Sequence, residues 1–157
     1  MYENRIKEIR TFFPDIALTT DILAGFVGET ETEFNETLSF IKRIRFSEMH
    51  VFPYSRRKNT VADSLEGHLD KKVITERAKI ISNLAAELKT EYINSFIGKS
   101  VYVIAETKKD NKWHGHSSNY LDVYFKCDEN IENQIVKVKL LNYQNNIILG
   151  EMEEENE

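Results

Sequence analysis

Apolar residues recur at helical spacing at the start of the chain. Ile6, Ile9 and Phe13 are three or four residues apart, which predicts an amphipathic helix over residues 2–12. Pro14 follows and ends this helix, because its ring cannot continue the backbone hydrogen bonding. The chain is therefore expected to open with a helix that has one apolar face.

A strand, a helix and a second strand are predicted next. The mostly apolar run 16–26 lacks polar alternation, which predicts a strand buried on both faces, as in a parallel sheet. Thr30 and Glu33 have the spacing of a capping box, and an apolar face predicts a helix from there to Ile44. Residues 49–54 predict the second strand. This order indicates a right-handed βαβ unit that belongs to a larger sheet.

The apolar period changes from helical to alternating in the second half of the chain. Residues 55–69 are polar and loop-like, and a long helix is predicted from Asp70 to about Ser95. Its face is marked by Val73, Arg77, Ile80, Leu84 and Leu88. Alternating residues then predict four or five short strands, including 101–104, 121–125, 136–140 and 147–149. Such strands with polar turns indicate a small antiparallel barrel, with a domain boundary at 95–98.

Composition adds a basic segment and excludes several classes of protein. The net charge is −5, but residues 42–58 hold six Lys and Arg residues against Glu48 alone, which suits either a polyanion or a solvated helix end. Residues 151–157 hold five acidic residues and no basic one, which predicts a solvated tail. The one cysteine, Cys127, excludes a disulfide framework. Because no apolar run is long enough to span a bilayer, no membrane association is expected, and the cytoplasm is the expected compartment.

The ends of the two predicted strands carry candidate ligand-binding residues. The turn 25–29 (Gly-Phe-Val-Gly-Glu) precedes a helix N-terminus, whose amides can bind anionic or polar groups; the alternative is a tight turn without a ligand. Asp21 lies within the apolar strand, so it is either hydrogen-bonded structurally or faces a polar site. Phe52 and Tyr54 share one face of the second strand, where they either stack on a purine or pack in the core.

The histidines and the cysteine do not predict a metal site. His50 is expected to be a packed or surface residue. His68, His114 and His116 have no recognised ligand spacing with one another or with Cys127, so the pair His114 and His116 near Cys127 would hold zinc only by chance. Cys127 is expected to be an inert thiol at a strand end. No catalytic constellation is predicted.

Three strings of residues carry a family resemblance. The first runs from Thr19 to Thr30 (Thr-Thr-Asp-Ile-Leu-Ala-Gly-Phe-Val-Gly-Glu-Thr) and continues with Phe34 and Glu36-Thr37. The second is His50-Val51-Phe52-Pro53-Tyr54-Ser55-x-Arg57-x-x-Thr60, and the third is Gly98-Lys99, Gly115-x-Ser117-x-Asn119-Tyr120 and Leu149-Gly150. The first two strings resemble the radical S-adenosylmethionine tRNA methylthiotransferases, most closely the threonylcarbamoyladenosine subgroup. The third resembles that family's C-terminal TRAM domain, a small RNA-binding β-barrel.

This resemblance implies both a fold and an activity. Residues 1–62 would form the C-terminal part of a radical-SAM (TIM-like) barrel, 63–96 a loop and linker helix, 97–150 the TRAM barrel and 151–157 an acidic tail. Family enzymes add a methylthio group to a tRNA adenosine beside the anticodon. They use S-adenosylmethionine and two 4Fe-4S clusters, of which one generates a 5′-deoxyadenosyl radical and the other supports sulfur insertion.

The cysteine content departs from the family. The family holds its radical cluster on a Cys-x3-Cys-x2-Cys loop and its second cluster on three N-terminal cysteines, and one cysteine supplies neither. No cluster is therefore expected on this chain, which we interpret as an inactive C-terminal fragment whose partners are tRNA and the missing N-terminal part. Val27 and Asn59 also stand where the family usually has Pro and Gly, which loosens loops near the cofactor.

Site residues follow from the resemblance position by position. The S-adenosylmethionine rim is expected to include Asp21, Gly25, Phe26, Gly28, Glu29, Phe52, Tyr54 and Ser55. RNA contacts are expected from Arg56, Arg57, Lys58, Lys99, Lys112, His114, Asn119 and Tyr120, because readers of single-stranded RNA combine cations with aromatic rings. Residues 97–150 carry seven basic and six acidic residues, so the barrel alone is expected to bind RNA weakly.

Two other functions compete with this interpretation. The chain could act as a stand-alone RNA-binding module without catalysis, or, as a third possibility, as a structural partner protein without an RNA role. The first segment also leaves an unpaired sheet edge if neighbouring strands are absent, which predicts self-association.

Overall fold

Residues 1–153 are described in the computed structural model, and they divide into two compact units, Met1–Lys89 and a second unit from Thr90. In chain order the elements are α1 (Tyr2–Phe12), β1 (Thr19–Ala24), α2 (Glu31–Ile44), β2 (Glu48–Pro53), α3 (Val61–Ser64), α4 (Lys71–Asn94), β3 (Ser100–Lys109), β4 (Lys112–Ser117), β5 (Asp122–Lys126), β6 (Ile135–Gln144) and β7 (Ile147–Met152). The predicted combination of an α/β part with a small β part is confirmed. The division between the units falls within α4, upstream of the boundary predicted at 95–98.

The first unit is built on a parallel pair of strands. β1 and β2 pair in register, with Thr19–Ala24 beside Glu48–Pro53, and α2 connects them, so the predicted strand–helix–strand order is confirmed. α2 begins at the predicted capping box. The Thr30 hydroxyl accepts from the Glu33 amide at 3.2 Å, and the Glu33 carboxylate accepts from the Thr30 amide at 2.8 Å. This reciprocal pair fixes where the helix starts.

β1 is shorter and more exposed than the sequence predicts. It covers 6 residues, in which Asp21 is exposed and Leu23 is 49% exposed. Leu23 pairs with Phe52 of β2, which is 52% exposed, so the prediction of burial on both faces is wrong. The physical reason is that β1 and β2 bond only to each other among the described residues, and the face that carries Leu23 and Phe52 stays open to solvent.

The other face of this strand pair packs into the core of the first unit. α1 confirms the helix predicted over residues 2–12 and contributes Ile6. The remaining buried residues of this core are Ala24, Phe34, Ile41, Ile44, Phe46, Met49, Ala78, Ile81, Leu84 and Leu88. Three helices thus pack against one face of the two-stranded sheet.

The buried face of α4 differs by one residue from the predicted stripe. Val73 and Ile80 are 36% and 40% exposed, whereas their neighbours Ile74 and Ile81 are buried. The predicted stripe and the observed buried stripe both have helical spacing, and they share three positions on the same side of the helix. Those shared positions, Arg77, Leu84 and Leu88, are buried as predicted. The polar loop 55–69 contains the short helix α3 (Val61–Ser64). The side chain of Thr60, its N-cap residue, accepts from the Asp63 amide.

The second unit contains a closed five-stranded barrel in the order β3-β4-β5-β7-β6. Four neighbouring pairs are antiparallel, but β5 and β7 are parallel, so the purely antiparallel arrangement predicted from sequence is wrong. The reason is geometric: strand directions cannot alternate around a ring with an odd number of strands, so one pair must run in the same direction.

Alternating residues of the barrel strands fill its core, as predicted. Val103, Val123 and Val138 are fully buried, and Phe125 is 1% exposed. β4 was not named among the predicted strands. Its sequence, Lys-Trp-His-Gly-His-Ser, lacks branched residues, yet Trp113 is buried in the same core.

The end of the described chain is a strand. Glu151 and Met152, assigned by the sequence to the acidic tail, close β7, and the Glu153 amide donates to the Lys137 carbonyl at 2.8 Å. The rest of the predicted tail, 154–157, lies outside the described residues. Among the helices of residues 1–153, none has the length and apolar content needed to cross a membrane.

Candidate cofactor rim and nucleic-acid interface

The carboxyl ends of β1 and β2 lie at the same edge because the two strands are parallel. The Tyr54 amide donates to the Ala24 carbonyl at 2.8 Å and joins the segments that follow the two strands. The rings of Phe26 and Tyr54 meet edge to face, with their centroids 5.2 Å apart. The structure therefore brings together the turn 25–29 and the start of the segment after β2.

Three amides of the turn 25–29 are bonded within the chain. Gly25 donates to the Glu29 carboxylate at 3.1 Å, Gly28 donates to the Gly67 carbonyl at 2.9 Å, and Glu29 donates to the Phe26 carbonyl at 3.0 Å. Gly25 has φ +73°, and a Cβ there would lie 2.9 Å from Ile74. Glycine is thus needed for the turn and for close packing against α4. The amides of Gly25, Gly28 and Glu29 are therefore engaged in holding the turn.

Arg77 anchors the turn to α4. Its guanidinium donates to the Glu29 carboxylate at 2.7 Å, to the Glu29 carbonyl at 2.8 Å and to Glu31 at 3.0 Å, and it lies over the Phe34 ring. The side chains of Arg77 and Glu29 are only 8% and 15% exposed. Burial disfavours the charge of Arg77, but its hydrogen bonds to both glutamates, together with their negative charges, outweigh burial and raise its pKa. Glu29, a predicted rim residue, is therefore held by a structural ion pair.

Aromatic side chains remain accessible at this edge. Phe26 is 42% exposed and Phe52 is 52% exposed. Tyr54 is partly buried and stacks on His68 with ring centroids 6.2 Å apart, while its hydroxyl is buried without a hydrogen-bond partner among the described residues. The accessible Phe26 ring beside Tyr54 suits stacking on an aromatic nucleoside, which needs stacking and a polar contact. The other rim predictions, Asp21 and Ser55, are exposed.

The basic residues after β2 differ in how they are held. The Arg56 side chain pairs with the Asp63 carboxylate and donates to the Asp63 carbonyl at 2.9 Å, which ties it to α3. The hydrogen bond from Arg56 lowers the pKa of Asp63. Arg57 and Lys58 are exposed on the same loop. Arg57 and Lys58 are accordingly more available to an external anion than Arg56.

The iron–sulfur part of the expected site does not fit this chain. Cys127 is partly buried in the second unit, and a 4Fe-4S cluster needs three or four cysteine thiolates. No step of cluster chemistry can therefore be assigned to these residues.

A turn at the end of β4 explains the barrel motif. The buried Ser117 hydroxyl accepts from the Leu121 amide at 3.0 Å, and the Tyr120 amide donates to the Ser117 carbonyl at 3.0 Å. The Tyr92 hydroxyl donates to the Asn119 carbonyl at 3.2 Å. Tyr120 itself has φ +61° and its ring is 77% exposed. The motif thus builds a tight turn that displays one aromatic ring to solvent.

The predicted RNA residues of the barrel do not form one cluster. Lys99 precedes β3, whose first residues lie beside the end of β4, so Lys99 shares an end with Asn119 and Tyr120. Lys112 opens β4 and lies at the opposite end of that strand. The His114 ring lies between them, 4.7 Å from the Tyr124 ring, and bonds to Asp122.

Sequence reasoning missed an outward face of the barrel. Tyr102 is 55% exposed on β3 and is paired across the strands with Lys137 of β6, and Ile104 is paired with Ile135, which is 71% exposed. The signal was present in the alternation itself, because Tyr102 must point outward if Val103 points inward. Arg77 was also missed as a site residue, although a basic residue in an apolar stripe is typical of a buried ion pair.

Comparison with known proteins identifies relatives along nearly the whole chain, although no family model matches it. The chain is 39% identical over 145 residues to threonylcarbamoyladenosine tRNA methylthiotransferase MtaB of Bacillus subtilis (strain 168). This match covers 89% of the chain and 32% of the relative. It is 35% identical over 156 residues to tRNA-2-methylthio-N(6)-dimethylallyladenosine synthase of Thermoanaerobacter sp. (strain X514), covering 98% of this chain and 33% of the relative. The corresponding synthase of Alkaliphilus oremlandii (strain OhILAs) is 32% identical over 157 residues, with 98% and 33% covered. The chain thus spans about a third of the length of the curated relatives it matches.

Proposed function

We propose that this chain, a homologue of the radical S-adenosylmethionine tRNA methylthiotransferases, supplies the RNA-binding barrel and part of the cofactor rim of such an enzyme. The resemblance read from its motifs is confirmed by these relatives. The observation that carries the proposal is the extent of the match, which includes both units: 98% of the chain aligns with the Thermoanaerobacter synthase. The chain would be the C-terminal portion, with the cluster cysteines on the missing part.

The proposed substrate is the threonylcarbamoyladenosine of a tRNA. The relative named for that nucleoside is 39% identical to this chain, whereas the relatives named for dimethylallyladenosine are 35% and 32% identical. The difference favours the first nucleoside, and the first two motif strings resemble the same subgroup. Methylthiolation at the adenine beside the anticodon is the activity proposed for the whole protein.

The first unit would contribute aromatic contacts to S-adenosylmethionine. That cofactor, when bound, supplies a 5′-deoxyadenosyl radical and a methyl group in the family's chemistry. Phe26 and Phe52 are the accessible rings, and the Tyr54 hydroxyl is a buried donor and acceptor that no described residue uses. Arg77 would keep the rim in place through Glu29, because two of its hydrogen bonds join Glu29 to α4, while a third joins Glu31 at the start of α2.

The barrel would contribute the tRNA contacts. Tyr120 displays an exposed ring at the same end as Lys99, which suits stacking on an unpaired base beside a phosphate contact. Tyr102 and Lys137 offer a second pair of this kind on the outward face of β3 and β6. With seven basic and six acidic residues in 97–150, binding by this chain alone should be weak and sensitive to salt.

A binding experiment tests the RNA role. The full chain is titrated into a fluorescent anticodon stem–loop at two salt concentrations, and Tyr120→Ala is compared with Tyr120→Phe, which keeps the ring. Loss of one stacked base should weaken binding by about 1–3 kcal/mol in the alanine variant only. Equal affinity of the two variants would contradict a stacking role for Tyr120, and no retention of RNA at low salt would favour a structural partner protein.

A reconstitution experiment tests the catalytic assignment. The N-terminal two-thirds of the Bacillus subtilis relative is fused to this chain, loaded with iron and sulfide without oxygen, and incubated with S-adenosylmethionine and tRNA. Mass spectrometry of the nucleosides should detect the methylthio product with the fusion and none with this chain alone. The intact relative is the positive control. A fusion that holds its clusters and cleaves S-adenosylmethionine but makes no product would contradict the proposal.

The alternative is a stand-alone RNA-binding module. It is favoured by one observation, the closed barrel with its own buried core. RNA binding with an affinity that the added N-terminal part does not change would support this alternative over the methylthiotransferase.

A further inference from the structure

Two of the chain's four histidines lie on one outward face of the barrel. His114 and His116 are two residues apart on β4, so their side chains point the same way, while Gly115 between them faces inward. Gly115 allows this arrangement, because a Cβ there would lie 1.9 Å from the Ile104 carbonyl oxygen. The two imidazoles meet edge to face, with ring centroids 5.2 Å apart.

Two carboxylates from neighbouring strands complete the cluster. Asp122 of β5 is the register partner of His116, and its carboxylate bonds to Nε2 of His114. Glu106 lies at a bulge of β3, where the pairing shifts between Ala105 and Thr107. Its two oxygens are 3.0 and 3.1 Å from Nδ1 of His116. A bulge commonly redirects a side chain, and here it places a carboxylate against the imidazole.

We propose that His114, His116 and Asp122 bind a divalent transition-metal ion such as Zn²⁺. One ligand atom from each residue lies within 4.8 Å of the others. Ligand atoms of a tetrahedral zinc site with bonds of about 2.1 Å are about 3.4 Å apart, so small side-chain rotations bring these three into range. Imidazole and carboxylate are ligands that suit Zn²⁺, Ni²⁺ and Cu²⁺. The cluster is partly exposed, and a fourth position stays open for water or an anion.

Glu106 has a separate role in this site. Its contact with Nδ1 of His116 leaves the Nε2 of that ring for the metal ion. A carboxylate that holds the remote nitrogen of a ligating histidine fixes the tautomer and raises the basicity of the ligand. Glu106 is therefore a positioning residue. Cys127, which the sequence did not predict to bind a metal, is not among the three proposed ligands.

Metal binding to the full chain tests the proposal. The protein is treated with a chelator, dialysed, and titrated with Zn²⁺ by calorimetry in the presence of a competing chelator. We expect one equivalent to bind, and thermal unfolding of the barrel to shift upward in the presence of the ion. His116→Gln and Asp122→Asn should each weaken binding at least tenfold, and Glu106→Gln should weaken it by about 10- to 100-fold while one equivalent still binds. His50→Gln and His68→Gln are matched controls and should leave affinity unchanged.

Two further measurements identify the ligands without replacing any of them. In NMR spectra of the unmodified chain, Zn²⁺ should shift the imidazole signals of His114 and His116 and leave those of His50 and His68 in place. Co²⁺ substitution should give visible bands without thiolate charge transfer, and Cys127→Ser should not alter them. No bound equivalent, unchanged affinity of His116→Gln, shifts confined to His50 and His68, or a thiolate band lost in Cys127→Ser would each overturn the proposal.

Discussion

The side chain of Arg77 determines how the turn at the end of β1 is held. It is 8% exposed and joins Glu29, which is 15% exposed, to a helix that begins more than 40 residues later in the chain. Neither charge could remain buried without the other. The packing of Gly25 against Ile74 depends on the same contact between turn and helix. The ion pair therefore maintains the geometry of the proposed rim.

Replacing Arg77 by methionine tests this. The variant leaves the Glu29 carboxylate nearly buried and unpaired, so we expect a loss of about 3–5 kcal/mol in the free energy of unfolding, measured by urea denaturation with circular dichroism. Arg56→Met is the matched control, because the Arg56 side chain in its pair with Asp63 is 60% exposed and exposed ion pairs contribute little to stability. Similar losses in both variants would contradict a special role for Arg77.

The capping box of α2 gives a prediction about pH. Hydrogen bonds from the backbone and side chain of Thr30 lower the pKa of Glu33 below its ordinary 4.5. A carboxyl with a lowered pKa in the folded state stabilises the protein above its unfolded pKa, and this contribution disappears as pH falls through the folded pKa. Glu33→Gln should therefore reduce the fall in urea midpoint between pH 6 and pH 3. Glu36→Gln on the same helix, outside the box, is the control, and an equal effect of both would contradict the assignment.

At the residue scale, local contacts were predictable and distant ones were not. The Thr30–Glu33 box could be read from sequence because both partners lie within one helical turn. The partners of Arg77 lie 46 and 48 residues away, and no spacing rule connects them. Glu106 reaches His116 only because of a bulge in β3, which leaves no clear mark in the sequence.

At the scale of elements, β4 was the least predictable strand. Its alternation is carried by Trp113, Gly115 and Ser117 on the buried side, which are not the branched residues that usually indicate a strand. Gly115 is required there by close approach to β3, since a Cβ would lie 1.9 Å from the Ile104 oxygen. By contrast, the valines of β3, β5 and β6 made those strands evident.

Gly115→Ala tests the tight pairing of β3 and β4. The added methyl group would meet backbone atoms that cannot move without breaking the ladder, so we expect destabilisation of about 1–3 kcal/mol or more. Trp113 is the only tryptophan and is 3% exposed in the barrel, so its fluorescence during thermal unfolding reports on this unit. Ser118→Ala, at an exposed turn position, should change stability by less than about 0.5 kcal/mol. An unchanged melting temperature of Gly115→Ala would mean that the strands separate freely.

At the scale of the whole molecule, the order of the elements was predictable, but the way in which the barrel closes was only partly predictable. The change from helical to alternating periodicity indicated an α/β part followed by a β part, and the structure confirms both. The parallel pairing of β5 with β7 is a property of the closed ring and not of either strand. The open face of β1 and β2 could not be read from sequence, because an apolar run does not reveal whether its neighbours are present.

This open face predicts self-association of the chain. Leu23 and Phe52 are paired across β1 and β2 and are 49% and 52% exposed, beside strands that bond only to each other in the described part of the chain. Exposed apolar side chains next to unpaired strand edges favour contact with another chain. Sedimentation velocity should therefore detect an average mass that rises with protein concentration.

The double variant Leu23→Lys and Phe52→Lys should shift the chain towards monomer, because two charges on this face oppose its burial against a second copy. Ile135→Lys is the matched control: Ile135 is also exposed, at 71%, but it lies on the closed barrel, where the ladder leaves no free strand edge. If the lysine pair abolishes association and the control does not, the open face of β1 and β2 is the surface through which copies of the chain associate. A monomer at every concentration would contradict self-association, and dissociation caused only by Ile135→Lys would show that the chain does not associate through the open face of β1 and β2.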